Sequence, residues 1–138
     1  MKIKTKPSDS RRTPDWILDM YKDWFDPCPY NLNPEVNGLE IDWKDKTYVN
    51  PPYGNNQLIK WVHKAIEECK KGKRIVMLLP ADTSTRYYAD LVSVGAGIWM
   101  SCRRVKFIGY KSPAWGSMLV FLHPRELKQA LNKERYEN

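Results

Sequence analysis

Between residues 57 and 70 the apolar side chains fall at Leu58, Trp61, Val62, Ala65, Ile66 and Cys69. That three-and-four spacing lines one face of a helix, and Gly72 is placed to close it. The "RIVMLLP" beyond is an unbroken apolar run between charge and proline, as a strand covered on both faces requires. Upstream, "KTYVN" is short and β-prone and is stopped by Pro51 and Pro52, which lack a backbone donor and fix φ. "TPDWILDMYKDW" predicts a short helix with Thr13 as N-cap, Pro14 at the first helical position and Asp15 in the first turn. "WFDPCP" predicts a brief buried strand ended by proline, and residues 30–40, rich in Asn, Pro and Gly, predict loop. Further on, "STRYYADLVSVG" predicts a helix capped by Ser84 or Thr83. "GIWMSCR", "RVKFIGY" and "GSMLVFLH" predict three strands, and "PRELKQALNKERYEN" a terminal helix.

Strands and helices alternating at this spacing give an α/β fold, a mostly parallel sheet with right-handed crossovers finished by a C-terminal antiparallel hairpin. Ligands in such sheets bind beyond the carboxyl ends of the strands. Both "FDPCP" and "NPPY" begin where a predicted strand stops, so the two candidate sites share one edge. Repeats, heptads and low-complexity tracts are absent. The chain divides into a basic arm over residues 1–12 and a single domain over 13–138.

Composition changes this picture little, and charge changes it more. The 138 residues are 42% hydrophobic and 28% charged, inside the globular range. No apolar run approaches the roughly 20 residues that cross a bilayer, and the charged start lacks a signal-like stretch, so a soluble, unexported protein with no membrane partner is expected. Cys28, Cys69 and Cys102 are far apart, with only His63 and His123 to join them, which argues against a metal site and fits a reducing compartment. The net charge is +7, and an anionic partner such as nucleic acid fits it. Lys2, Lys4, Lys6, Arg11 and Arg12 form one basic cluster, Lys70, Lys71, Lys73 and Arg74 a second, and Arg103, Arg104 and Lys106 a third. Any one cluster reads most simply as a solvated face or helix end; all three together favour phosphate contacts.

The chemistry is concentrated in "NPPY". An exocyclic amine of adenine is a poor nucleophile because its lone pair is delocalised into the ring. A site that accepts both amine hydrogens pushes electron density onto the nitrogen and favours a tetrahedral arrangement. The side-chain oxygen of Asn50 and the carbonyl of Pro51 are such acceptors, and Pro52 constrains where that carbonyl points. Tyr53 offers a flat face for a base that has left its duplex. Against this stands an ordinary strand-ending turn, which the same residue types form readily.

With these residues in view, the sequence resembles the small phage and prophage Dam-like DNA N6-adenine methyltransferases, which use S-adenosylmethionine. The likeness runs in order through "TPDW", "FDPCP", "NGLEIDW", "YVNPPYG", "WVHKA", "LLPADTSTRYY", "RVKF" and "GSMLVFL". It implies a trimmed Rossmann-like class I methyltransferase fold. It also implies that Asn50, Pro51, Pro52 and Tyr53 hold the target adenine and carry catalysis. Thr13, Pro14, Trp16, Asp26, Pro27, Cys28, Asp42 and Asn50 would meet the cofactor. Pro80, Thr85 and Phe107 would border or stack on the base, and Lys4, Lys6, Arg11, Arg12, Arg103 and Arg104 would contact the nucleic-acid backbone. Two departures stand out. "DPCPYN" has no glycine where the larger class has a glycine-rich loop, and about two dozen residues separate Asp26 from Asn50, too few for that class's usual strands and helices.

The expected activity is methyl transfer from S-adenosylmethionine to N6 of a flipped adenine in DNA, by a phage, prophage or viral protein in the host cytoplasm. No insertion is long enough for a separate recognition domain, so a homodimer is a further candidate partner. RNA or a glutamine amide are rival acceptors for the same grip. A non-catalytic nucleic-acid-binding module on a decayed methyltransferase scaffold is the rival outside enzymology.

Overall fold

The computed structural model describes residues 13–29, 37–54, 56–101 and 116–137. Its elements are α1 (Asp15–Met20), β1 (Lys46–Val49), α2 (Gln57–Lys70), β2 (Arg74–Pro80), α3 (Arg86–Ser93), β3 (Gly97–Met100), β4 (Ser117–Leu122) and α4 (Pro124–Glu137). The strands form one sheet in the order β1-β2-β4-β3. Phe25 adds a single parallel bridge to Thr47 outside β1, so the strand expected at "WFDPCP" is reduced to one residue. Pro27 and Pro29 remove the donors a longer ladder would need.

The expectation of a mostly parallel sheet is corrected. β1 and β2 are parallel, but β4 is antiparallel to both β2 and β3. Two helical crossovers, α2 and α3, leave β1, β2 and β3 pointing the same way. The reversed β4 then inserts between β2 and β3 and makes two of the three pairings antiparallel. "RVKFIGY", expected as one arm of the hairpin, lies outside the described residues.

Side chains alternate across the sheet, and the two faces bury different partners. Val49, Ile75, Met77, Leu79, Met118, Val120 and Leu122 meet Trp61, Val62, Ala65, Ile66 and Cys69 of α2, Tyr87 and Leu91 of α3 and Leu127 of α4. Each fully buried Val, Leu or Ile side chain contributes roughly 1.5–3 kcal/mol, so a charge at Val120, which is wholly enclosed, would break this layer. On the other face Tyr48, Val76, Leu78 and Leu119 are covered by Ile17 of α1, with Tyr21, Trp24 and Tyr53 packed around them. Tyr21 and Tyr48 stack with centroids 5.2 Å apart.

Helix ends depart from expectation in two places. α3 is capped by Thr85, whose Oγ1 accepts from Tyr88 N at 3.3 Å, and not by Ser84 or Thr83. Pro14, not Thr13, occupies the N-cap position of α1, and no side chain caps that helix. Gly72 closes α2 with φ +105°, a left-handed conformation that suits glycine.

The amino-terminal ends of β1 and β2 are held by charge. Glu68 on α2 is fully buried, yet Lys64 and Lys73 approach its carboxylate at 2.8 and 2.9 Å and Lys71 at 3.3 Å. Burial alone would raise its pKa; the hydrogen bonds and charges of the lysines outweigh that and hold it near 2. Lys73 also donates to the carbonyl of Trp43, whose indole Nε1 donates to Gly38 O at 2.8 Å. Lys71 and Lys73, counted in the second basic cluster, are thus turned onto an internal acid.

Candidate active site at the carboxyl ends of the strands

Tyr48 and Asn50 are two residues apart, so the period of an extended chain puts both on the α1 side of the sheet. The hydroxyl of Thr13 stands between them. Thr13 Oγ1 lies 3.0 Å from the phenol oxygen of Tyr48 and accepts from Asn50 Nδ2 at 3.2 Å. All three residues are buried. The hydroxyl that the sequence assigned to a helix cap is therefore engaged with the "NPPY" segment instead. Burial raises the Tyr48 phenol pKa well above its usual value, only partly offset by Thr13, so the phenol stays protonated.

Asp26 reaches the same edge from the neighbouring segment. Phe25 N donates to Lys46 O at 2.9 Å and Tyr48 N donates to Phe25 O at 2.8 Å, which sets Asp26 beside the end of β1. Its Oδ1 accepts from Cys28 N at 2.9 Å. Burial raises the Asp26 pKa to about 6 despite that bond. Burial and the Asp26 charge push the Cys28 thiol up to about 12, so it remains protonated and is no nucleophile. Pro27 is buried against Gly38, where a Cβ would lie 2.1 Å from Pro27 O and 2.7 Å from the Trp61 ring. The lack of a side chain at Gly38 is what allows that close approach of its backbone to Pro27.

Pro51 is buried, and Pro52 and Tyr53 are half-buried. Tyr53 donates its hydroxyl to Leu78 O at 3.2 Å, which fixes the ring against β2. Pro80 ends β2 at this edge and its carbonyl accepts from Tyr87 at 2.8 Å. Thr85 donates to Asp82 O at 2.7 Å besides capping α3, so its hydroxyl serves the local turn. Pro14 is buried, and Trp16, three residues after Thr13, is half exposed.

Not every expected residue comes here. Asp42 is exposed and pairs with Lys71 at 3.5 Å, next to the amino-terminal ends of β1 and β2 and away from Asn50. Phe107, Arg103, Arg104, Lys4, Lys6, Arg11 and Arg12 lie outside the described residues. The flanks of segment 102–115 do reach the site edge: Ser101 N donates to Ser117 O at 3.0 Å and Ala81 N to Gly116 O at 2.9 Å. A concavity of about 500 Å³ lined by Asp23, Phe25, Lys44, Asp45 and Lys46 contains none of the site residues. Among the described residues no group of three or more His, Cys, Asp or Glu is arranged to hold a metal ion, and no helix is long and apolar enough to cross a membrane.

Sequence reasoning missed Tyr48 and Gly38. Tyr48 shares its face with Asn50 by simple alternation, a signal present in "TYVN". Gly38 gives no local signal, because its partner Pro27 is fixed only by the folded chain.

An α/β sheet in this order, with Asn50, Asp26 and Thr13 converging past two adjacent parallel strand ends, is consistent with a trimmed methyltransferase-like fold. The sequence model of the DNA N-6-adenine-methyltransferase (Dam) family matches residues 2–131, and the chain belongs to that family. It is similar to the DNA N-6-adenine-methyltransferase of Escherichia phage T1, 33% identical over 98 residues, which are 69% of this chain and 40% of that protein. It is also similar to the enzyme of that name from Haemophilus phage HP1 (strain HP1c1), 32% identical over 126 residues, 78% of this chain and 72% of the relative. The chain thus spans well under half of the first relative and about three quarters of the second.

Proposed function

We propose that this protein is a DNA adenine-N6 methyltransferase that takes its methyl group from S-adenosylmethionine and works in the cytoplasm of a phage-infected or prophage-carrying host. The observation that carries this reading is the placement of Asn50, at the end of β1 with its amide nitrogen bound to Thr13, in a chain of the Dam family. Both phage relatives bear the name of that activity.

The donor set suits the methyl donor. A half-buried carboxyl at Asp26, a hydroxyl at Thr13 and a half-exposed indole at Trp16 fit a ligand that carries hydroxyls, an ammonium group and a flat purine. S-adenosylmethionine, when bound, supplies an electrophilic methyl group on a sulfonium. Thr13, Trp16, Asp26, Pro27 and Cys28 would hold it, and Asp42, paired with Lys71 elsewhere, is left out of that set.

Asn50 and Pro51 act on the acceptor. Because Nδ2 of Asn50 faces Thr13, the acceptor end of the amide is the other branch, and with the Pro51 carbonyl it can take both hydrogens of an adenine amine. That removes lone-pair density from the ring conjugation and restores nucleophilicity at N6. No residue has to deprotonate the amine first, since its proton becomes acidic once the nitrogen is alkylated. Tyr53, tethered to Leu78, presents a fixed aromatic face on which a flipped base can stack.

The test is transfer of tritiated methyl from S-adenosylmethionine to DNA, RNA and protein in parallel. Label on DNA that contains adenine, and none on adenine-free DNA, is the expected result. Equal labelling of adenine-free DNA, or preferential labelling of RNA or protein, would overturn the acceptor. No labelling, with no rise in melting temperature at saturating donor, would point to a binding module on a methyltransferase scaffold.

A further inference from the structure

Ser117 opens β4 with a hydroxyl that is fully buried and, among the described residues, has no hydrogen-bond partner. A buried polar group left unpaired costs stability, and native folds keep one mostly where a ligand or a water completes it. Strand alternation settles which way the hydroxyl faces. Met118 belongs to the layer packed on α2 and Leu119 to the layer under α1, so Ser117 points to the α1 side, with Tyr48, Asn50 and Tyr53. Its partner across the ladder is Pro80, at the carboxyl end of β2. Pro80, Gly116 and Tyr53 are only half-buried, so the hydroxyl lies just beneath a partly open rim on the acceptor side of the site.

Register gives the span from Asn50. Val49 is level with Met77, which puts Asn50 level with Leu78; Leu78 faces Leu119, and Ser117 is two residues beyond. Two strand spacings across and two residues along place the Cα atoms of Asn50 and Ser117 about 12 Å apart. Two hydrogen bonds of about 3 Å take up roughly half of that, and the remainder suits the six-membered ring of a purine with its exocyclic amine. In adenine, the atom directly across that ring from the carbon bearing the amine is N3, which has a lone pair and no hydrogen. In cytosine, which carries a comparable amine, the atom in that place is the nitrogen bonded to the sugar, with nothing to offer a donor. We propose that Ser117 is a specificity-determining residue that donates its hydroxyl to N3 of the target base and so selects adenine over cytosine. This inference rests on the methyltransferase reading for the position of the amine; the orphaned hydroxyl is independent of it.

The test is Ser117→Ala, read first in the unliganded protein and then against base analogues in short single-stranded oligonucleotides, at pH 8 with S-adenosylhomocysteine present. Loss of an unpaired hydroxyl is expected to leave the melting temperature unchanged or to raise it by a few degrees. A clear fall would show that the hydroxyl already has a partner and would overturn the proposal. Wild type is expected to bind an oligonucleotide with one adenine roughly three- to tenfold more tightly than the same oligonucleotide with 3-deazaadenine, where C–H replaces N3, the span of a typical net hydrogen bond. 7-Deazaadenine should bind as adenine does. Ser117→Ala should bind all three alike, close to the wild-type affinity for 3-deazaadenine. Equal binding of adenine and 3-deazaadenine by wild type, or the same preference kept in Ser117→Ala, would overturn the proposal. If the analogue pattern holds but wild type transfers no methyl group to adenine, the methyltransferase reading fails and the base contact stands.

Discussion

The two ends of the sheet hold their loops by opposite means. At the amino-terminal end, a fully buried Glu68 gathers Lys64, Lys71 and Lys73 and ties the Trp43 loop to α2 through charge. At the carboxyl end, Thr13, Tyr48 and Asn50 are joined by neutral hydrogen bonds, and the nearby Asp26 sits in a setting that disfavours its charge. Charge-assisted contacts are strong and fix a scaffold. Neutral amide and hydroxyl groups can exchange partners with a ligand at little expense in desolvation. The difference teaches that basic residues in this chain are not evidence of a nucleic-acid surface until their partners are known, because Lys71 and Lys73 face an acid.

The strongest way to break this contrast is at Asn50. Asn50→Ala is expected to lower turnover by a hundred- to a thousandfold, the usual loss for one electrostatic contact to a reacting group, while donor affinity measured by calorimetry changes little. Removing the acid at the other end should do the reverse. Glu68→Gln leaves three lysines around a neutral group and is expected to destabilise the fold by about 2–3 kcal/mol in denaturant melts, less than a fully enclosed pair because the lysines reach water. Since the Glu68 pKa is lowered from 4.5 to about 2, its contribution is complete above pH 4.5 and is lost as pH falls toward 2. The acid limb of the stability profile should flatten in Glu68→Gln.

Gly38 joins the two regions, since its carbonyl accepts from Trp43 and its Cα faces Pro27. Gly38→Ala is expected to destabilise by about 1–3 kcal/mol, as overpacking does, and to weaken donor binding because the Asp26 loop must move. Asp26 gives a finer test. Its pKa is raised from 3.8 to about 6, so ionisation lowers native stability progressively between those values. Asp26→Asn is therefore expected to stabilise the unliganded protein at pH 7. In the wild type, affinity for the cationic donor should rise as pH increases through 6, and the variant should lose that rise. The smallest effect is expected at the exposed His63–Asp90 contact of 2.7 Å, where His63→Ala should change stability by under about 1 kcal/mol.

Much of this was legible in the sequence where local periodicity decides structure. The α2 stripe from Trp61 to Cys69 and the β2 run from Ile75 to Leu79 are buried where the pattern placed them. "FDPCP" and "NPPY" share an edge because both follow chain segments that pair in parallel. Strand neighbours were not legible: nothing within "SMLVFL" says that it lies between β2 and β3 and reverses the pairing. Thr13 was assigned a cap because Thr-Pro-Asp carries that signature, whereas its actual partners are 35 and 37 residues away. Asp42 was drawn toward the cofactor by resemblance, while the folded chain sets it against Lys71.

Whether Asn50 and Pro51 grip an adenine amine would be seen in a crystal structure of the protein with S-adenosylhomocysteine and an adenine-containing oligonucleotide. The expected result is N6 of an extrahelical adenine within hydrogen-bond reach, about 2.7–3.2 Å, of both Asn50 Oδ1 and Pro51 O. An adenine held elsewhere, or an Asn50 amide whose NH2 faces the base, would contradict it.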